Sequence, residues 1–331
     1  MSSQIPVAFV EGFKASIYML AAQKNSRLFA TGTQESQNSK TDYYERIGNV
    51  DAVDITTRHG DTPIIDVPHS RRACTLKDAE FGAMIDDMDK LRLLIQPQNA
   101  YAMRAVQALN RKKDDVFITS ALGAVLTGVD GDVSVSLPIT QKLAAVAEDA
   151  NGDGTGVSVP WSVHLLRKVG AKFDANEMGE DESRYISWSS AQKMSFLGLT
   201  KATSQDFASV KNLVDGNVNS FMGFEFIRSE LLPYYATPAN LRWDIEGNVT
   251  SEAASPAIDN SVTFGGLVSE TFRRCFSWVG SAMVSATGEG LFVRISERDD
   301  KRYSTQVYAR HSVGAARMEE IGVIEIFSKE P

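Results

Sequence analysis

Four groups of residues in this sequence have the types and spacing that could support chemistry. Asp149, Asn151, Asp153 and Gly154 follow the first half of a calcium loop, with oxygen-bearing residues at alternate positions and glycine at the sixth. The twelfth position requires a bidentate glutamate and is Pro160, so an Asx-type turn is the better reading, with weak ion binding at most. The four histidines, His59, His69, His164 and His311, share no metal-ligand spacing. The carboxylates Glu177, Glu180, Asp181 and Glu182 are interrupted by Gly179 and flanked by no apolar wall, the pattern of a solvated loop. Trp161, Trp188, Trp243 and Trp278 do not interleave with basic residues, so they read as core or interface aromatics rather than a base-stacking platform. Phosphate-cradling glycine loops and nucleophile elbows are missing from the sequence. The reading therefore assigns no catalytic residue, no cofactor and no metal. A Ser/His/Asp triad assembles in space rather than in sequence, which leaves an unrelated α+β hydrolase as a remote alternative.

Composition narrows the class. The 331 residues are enough for two or three lobes with a real core. The formal net charge of −8 makes a poor general binder of nucleic acid, since phosphate affinity comes mainly from lysine and arginine. Such a chain can still border nucleic acid without gripping it. Cys74 and Cys275 stand far apart and form no disulfide framework, which points to a reducing cytoplasm. Neither a membrane-spanning run nor a signal-peptide pattern is present.

The elements that would position functional groups are unusual in one stretch. Residues 46–56 and 64–76 read as two β-rich strands of an exposed arm, joined by a turn at 58–63 and charged on both faces. A two-stranded ribbon is at best marginally stable alone, so this arm should rest on something else, such as another copy of the chain. A long helix is expected from Gln98 to about Val125, roughly 40 Å at 1.5 Å per residue. Before the arm, Phe9, Phe13, Ile17 and Leu20 suit a short amphipathic helix, and 33–40 an extended polar tract. Further on, a short helical piece is expected near 141–148, helices over 161–173 and 189–197, and a strand at 185–188. A short helix from Cys275 is followed by strands at 291–297, 302–310 and 321–327, with a hairpin turn at 298–301. The class is α+β.

This order of elements resembles the major capsid proteins of tailed bacteriophages, which have the Hong Kong-type capsid fold. The likeness runs from about Arg46 to the C-terminus. It is carried by the arm, the helix segments 100–111 and 114–124, the strand-to-helix step 185–192, the turn and strand 213–226 with 229–233, and the closing segments 314–317 and 321–326. The resemblance implies an N-terminal arm (1–45), an extended loop (46–83), a peripheral domain (84–175 with 262–331) and an axial domain (176–261) carrying a polar insertion at 236–260. It implies a non-enzymatic subunit that assembles into hexamers and pentamers of an icosahedral head around double-stranded DNA, contacted weakly and without sequence specificity. Portal and scaffolding proteins, and a decoration protein, would be its partners, the host cytoplasm its place of synthesis and the virion its destination. No long helical region precedes the arm, so a separate scaffold is expected rather than a fused one. The loop carries no lysine between Arg46 and Leu76, which argues against a covalent link through it. Arg58, Asp61, Arg71 and Arg72 are the candidate interface residues, expected to pair with a neighbouring subunit's helix or strands. A cellular nanocompartment shell with the same fold is the nearer alternative.

Overall fold

The computed structural model describes residues 22–58, 60–62, 64–86, 98–149, 151–179, 181–199, 220–235, 242–251 and 272–330. The expected helix around Phe9–Leu20 and most of the 236–260 insertion lie outside them. The strands are β1 Thr33–Ser36, β2 Thr41–Ile47, β3 His69–Thr75 and β4 Lys77–Ile85, followed by helix α1 Gln98–Leu122. Next come β5 Val125–Thr127, β6 Val133–Val135, β7 Lys142–Ala144, β8 Val146–Glu148, β9 Gly154–Ser158, α2 Val163–Ala175, β10 Arg184–Trp188 and α3 Ser190–Leu197. The remainder is β11 Ser220–Phe221, β12 Phe224–Arg228, β13 Tyr234–Tyr235, β14 Arg242–Trp243, β15 Val249–Ser251, β16 Phe272–Val279, β17 Met283–Thr287, β18 Phe292–Arg298, β19 Ser304–Arg317 and β20 Val323–Lys329.

The chain divides into two units, and α1 and β19 supply residues to both. The smaller unit contains 78–112 and 289–312. In it β19 pairs with β18, in register from Phe292↔Arg310 to Arg298↔Ser304, and with β4. Its core is thin: Ala105 and Leu109 of the helix meet Ala309, with Ala79 and Phe81 packed alongside. The β18–β19 hairpin turns through left-handed Arg302 and Tyr303, at φ 52° and 57°.

The larger unit is built on a sheet ordered β11-β12-β10-β16-β20-β7, with β13 also paired to β16. Every residue of β16 is buried, as expected of a strand covered on both faces. Phe276 and Trp278, with ring centroids 4.7 Å apart, pack against Phe117 of α1. Trp161, Trp188 and Phe196 extend the aromatic core through edge-on contacts at 5.8 and 5.7 Å. A second sheet, β2-β3-β5-β6, carries the ribbon.

Local signals explain most elements. Ser162 caps α2 by accepting from Leu165 N–H, and at the start of α3 Gln192 reaches back to accept from Ser189 N–H at 2.6 Å. Other expectations are corrected. The piece near 141–148 is two strands, β7 and β8, because pairing with β20 and β9 overrides the helix propensity of its alanines. The stretch from Cys275 belongs to β16 rather than a helix. The polar tract at 33–40 begins as a strand, β1, in parallel register with β17. The ribbon lies farther from the turn than its β-branched residues suggested: β2 and β3 pair from Thr41↔Thr75 to Ile47↔His69, and one further bond joins Gly48 N–H to Pro68 O. Pro68 has no N–H with which to continue the ladder, and 48–58 and 64–68 are not strand.

One buried carboxylate fixes where the larger unit begins. Asp114 of α1 is fully buried and accepts bonds from the backbone N–H groups of Arg27, Leu28 and Phe29 and from the Ser26 hydroxyl. Asp114→Ala would strand these donors and should cost about 3 kcal/mol or more, read as a lowered urea midpoint; a loss below ~1 kcal/mol would contradict the assigned role. The two-residue turn between β11 and β12 is strained differently. It places Met222 at φ 51° before Gly223 at φ 80°, a geometry that favours asparagine at the first position. Met222→Asn should therefore raise stability by about 1 kcal/mol, visible as a higher Tm, whereas an unchanged or lower Tm would refute the strain.

Candidate assembly interface

Side chains along the ribbon point alternately to two faces. Tyr44 and Arg46 of β2 share a face with Arg72 and Cys74 of β3, turned toward a small core of Cys74, Val125, Val284, Ala286, Ala316 and Met318. Burial, with Asp42 nearby, pushes the Cys74 thiol up to about 12, so it packs as an apolar group rather than acting as a thiolate. Cys275 is fully buried in the main core and its thiol is likewise pushed up by burial.

Below this face, buried arginines close the end of α1. Arg317, fully buried, donates to the carbonyls of Ala121 at 2.7 Å, Gly123 at 3.0 Å and Val135 at 3.3 Å. Arg274 reaches Leu122 O at 3.5 Å and is paired with the buried Glu325, which Lys142 approaches at 3.7 Å. A helix end leaves its last carbonyls without intrahelical donors and carries partial negative charge, so two buried guanidiniums answer both needs. Burial, opposed by Glu320, holds the Arg317 guanidinium down at about 10. Glu320 in turn binds Arg72, whose Nε also donates to Met318 O at 3.5 Å.

The four candidate interface residues have different fates. Arg72 is buried and committed to Glu320 inside its own subunit. Arg71 lies on the opposite face and makes a two-pronged contact with Glu45 at 2.8 and 3.1 Å. Arg58 and Asp61 are exposed. Alternation along a strand explains the split, but only the position of the ladder reveals that both adjacent arginines stand at the anchored root. The sequence reading missed Arg46, Arg317 and Glu320; the signal available was the charge density of 317–320 against the ribbon arginines.

Beyond the ribbon the loop 48–68 has no partner strand among the described residues. Its apolar side chains face solvent, with Ile55 94% and Ile64 99% exposed. A cavity of about 510 Å³ at the ribbon root is lined by Glu45, His69, Arg71, Thr127 and Val129, among others.

Elsewhere the chemistry-like groups serve structure. Asp149 Oδ1 accepts from Asn151 N–H at 2.8 Å and Asp153 N–H at 2.9 Å, the Asx turn read from sequence. Glu182 accepts from Ser281 N–H at 3.0 Å. His164 lies on α2 with Nε2 3.3 Å from Glu246 O. Among the described residues no group of three or more metal-binding side chains comes together.

The family described as phage capsid protein matches residues 5–330. No curated protein matches the chain. The fold is similar to the capsid protein of cyanophage P-SCSP1u, with TM-score 0.67 and 14% identity over 96% of this chain and 92% of the other. It is similar to the capsid proteins of cyanophage Pam1, at TM-score 0.65 and 14% identity with 99% of each chain covered, and Helicobacter pylori bacteriophage KHP30, at 0.65 and 11% with 99% and 98% covered. The Hong Kong-type capsid fold expected from the order of elements is therefore the observed one, and the chain belongs to the phage capsid protein family, as a major capsid protein that builds the phage head.

Proposed function

We propose that this subunit assembles into the hexamers and pentamers of an icosahedral head enclosing double-stranded DNA, and that its role is structural, without catalysis. The observation that carries the reading is the 48–68 loop. A monomer gains nothing from holding Ile55 and Ile64 almost fully in water on a segment with no ladder partner among the described residues. Covering those side chains with a neighbour converts a liability into many modest contacts, repeated by symmetry.

In this reading 1–45 form the arm, 46–83 the extended loop, 84–175 with 262–331 the peripheral domain and 176–261 the axial domain. The acidic balance favours weak, sequence-independent contact with the packaged duplex. A separate scaffolding protein, a portal and a decoration protein are the further partners proposed, with synthesis in the host cytoplasm. With no lysine on the loop, its grip is non-covalent.

Excising the loop tests this directly. Gly48 and Pro68 form the last bonded pair, so replacing 49–67 with Asn-Gly should close the ribbon as a tight hairpin. The shortened chain should melt within a few degrees of the parent, while shells visible by negative-stain microscopy for the parent with its scaffold should disappear. Shells of normal yield from the shortened chain would refute the reading.

A further inference from the structure

Arg46, one residue before the end of β2, carries a guanidinium that is only half used. Its Nη1 stands 3.7 Å from Glu320, a carboxylate that Arg72 already holds and Arg317 approaches at 4.0 Å. Its Nε is buried with no hydrogen-bond partner. Three guanidiniums therefore share one carboxylate. Arg72 and Arg317 have outlets in backbone carbonyls, at Met318 for the first and at Ala121, Gly123 and Val135 for the second. Arg46 has none among the described residues. Its side chain is 28% exposed, so an anion arriving from outside can reach it.

The complementary charge is carried by the same chain. Residues 48–68 contain Asp51, Asp54, Asp61 and Asp66 against the single fixed cation Arg58. All four aspartates are exposed, and none is held in an ion pair among the described residues. About ten residues out and ten back give the loop a reach of roughly 30 Å, long enough to touch a neighbour.

Resting on the shell reading, we propose that Arg46 is the receptor for a loop aspartate of a second copy, seating the acidic loop of one subunit on the arginine cluster at the root of the next. A carboxylate there meets the exposed part of the guanidinium and, once the side chain turns outward, supplies the missing partner for Nε. The contact joins two different surfaces, loop to root, so it is heterologous; repeated by rotation it closes a ring. It also accounts for the charge pattern: surplus cations at the root of the ribbon, surplus acids spread along the loop beyond it.

Charge exchange tests the proposal. Assembly yield with scaffold is read by sedimentation and microscopy for Arg46→Gln, Arg46→Glu, a loop with all four aspartates changed to asparagine, and Arg46→Glu combined with Asp51→Arg, Asp54→Arg, Asp61→Arg and Asp66→Arg. Each of the first three should lower shell yield about tenfold or more, and the combined reversal should restore most of it. The asparagine loop cannot fail by unfolding a buried pair, and thermal melts confirm that the others fold. Wild-type yield from Arg46→Gln or from the asparagine loop, or no recovery in the combined variant, would overturn the contact while leaving the shell reading intact. If the unaltered chain with its scaffold forms no shells, the shell reading fails and the contact falls with it.

Discussion

The structure depends on how the C-terminal end of α1 is terminated. A helix of 25 residues presents a row of carbonyls and a partial negative charge at its end, and here that end is buried. Arg317 and Arg274 supply the donors from adjacent strands, and each is balanced by a carboxylate, Glu320 and Glu325. Burying guanidiniums is costly unless most of their donors are used; the carbonyls of Ala121, Gly123 and Val135 use the η nitrogens of Arg317, while its Nε lies 4.0 Å from Glu320 without a hydrogen bond. The same Glu320 then holds Arg72 of the ribbon. One cluster thus terminates the helix, anchors β3 and fixes where the loop leaves the body.

That anchoring separates two demands that conflict in an ordinary monomer. The ribbon root must be rigid, and it is: seven register pairs between β2 and β3 and a packed face over Cys74 and Val125. The loop must be able to meet a neighbour, and its residues make no ladder beyond Gly48 and Pro68. Pro68 and Gly48 stand at the boundary, one lacking a donor and the other adding backbone freedom. Stability is concentrated on one side of that line and exposed apolar surface on the other.

Much of this was legible in the sequence. The long helix, the helix starts at Ser162 and Ser189, the 184–188 strand and the Asx turn follow from periodicity, cap chemistry and side-chain reach, all local quantities. The resemblance to tailed-phage capsid proteins rested on element order, which survives when identity falls to 14%. What was misread depended on partners distant in sequence. The alanine-rich 142–148 stretch is strand because β20 and β9 flank it, and β16 is strand because sheet neighbours lie on both sides. The ribbon was extended too far toward the turn because β-branched residues in 50–56 and 64–65 look like strand whether or not anything pairs with them. Of the four candidate interface residues, two proved to be engaged within the subunit, a fact set by register alone.

The central claim is that residues 48–68 find their partners only in the assembled shell. Amide hydrogen exchange of that segment, compared between unassembled subunit and purified shells, tests it most directly. The account predicts exchange near the unprotected rate in the free subunit and strong slowing, by about a hundredfold or more, once shells form. Equal exchange in the two states, or strong protection already present in the free subunit, would contradict it.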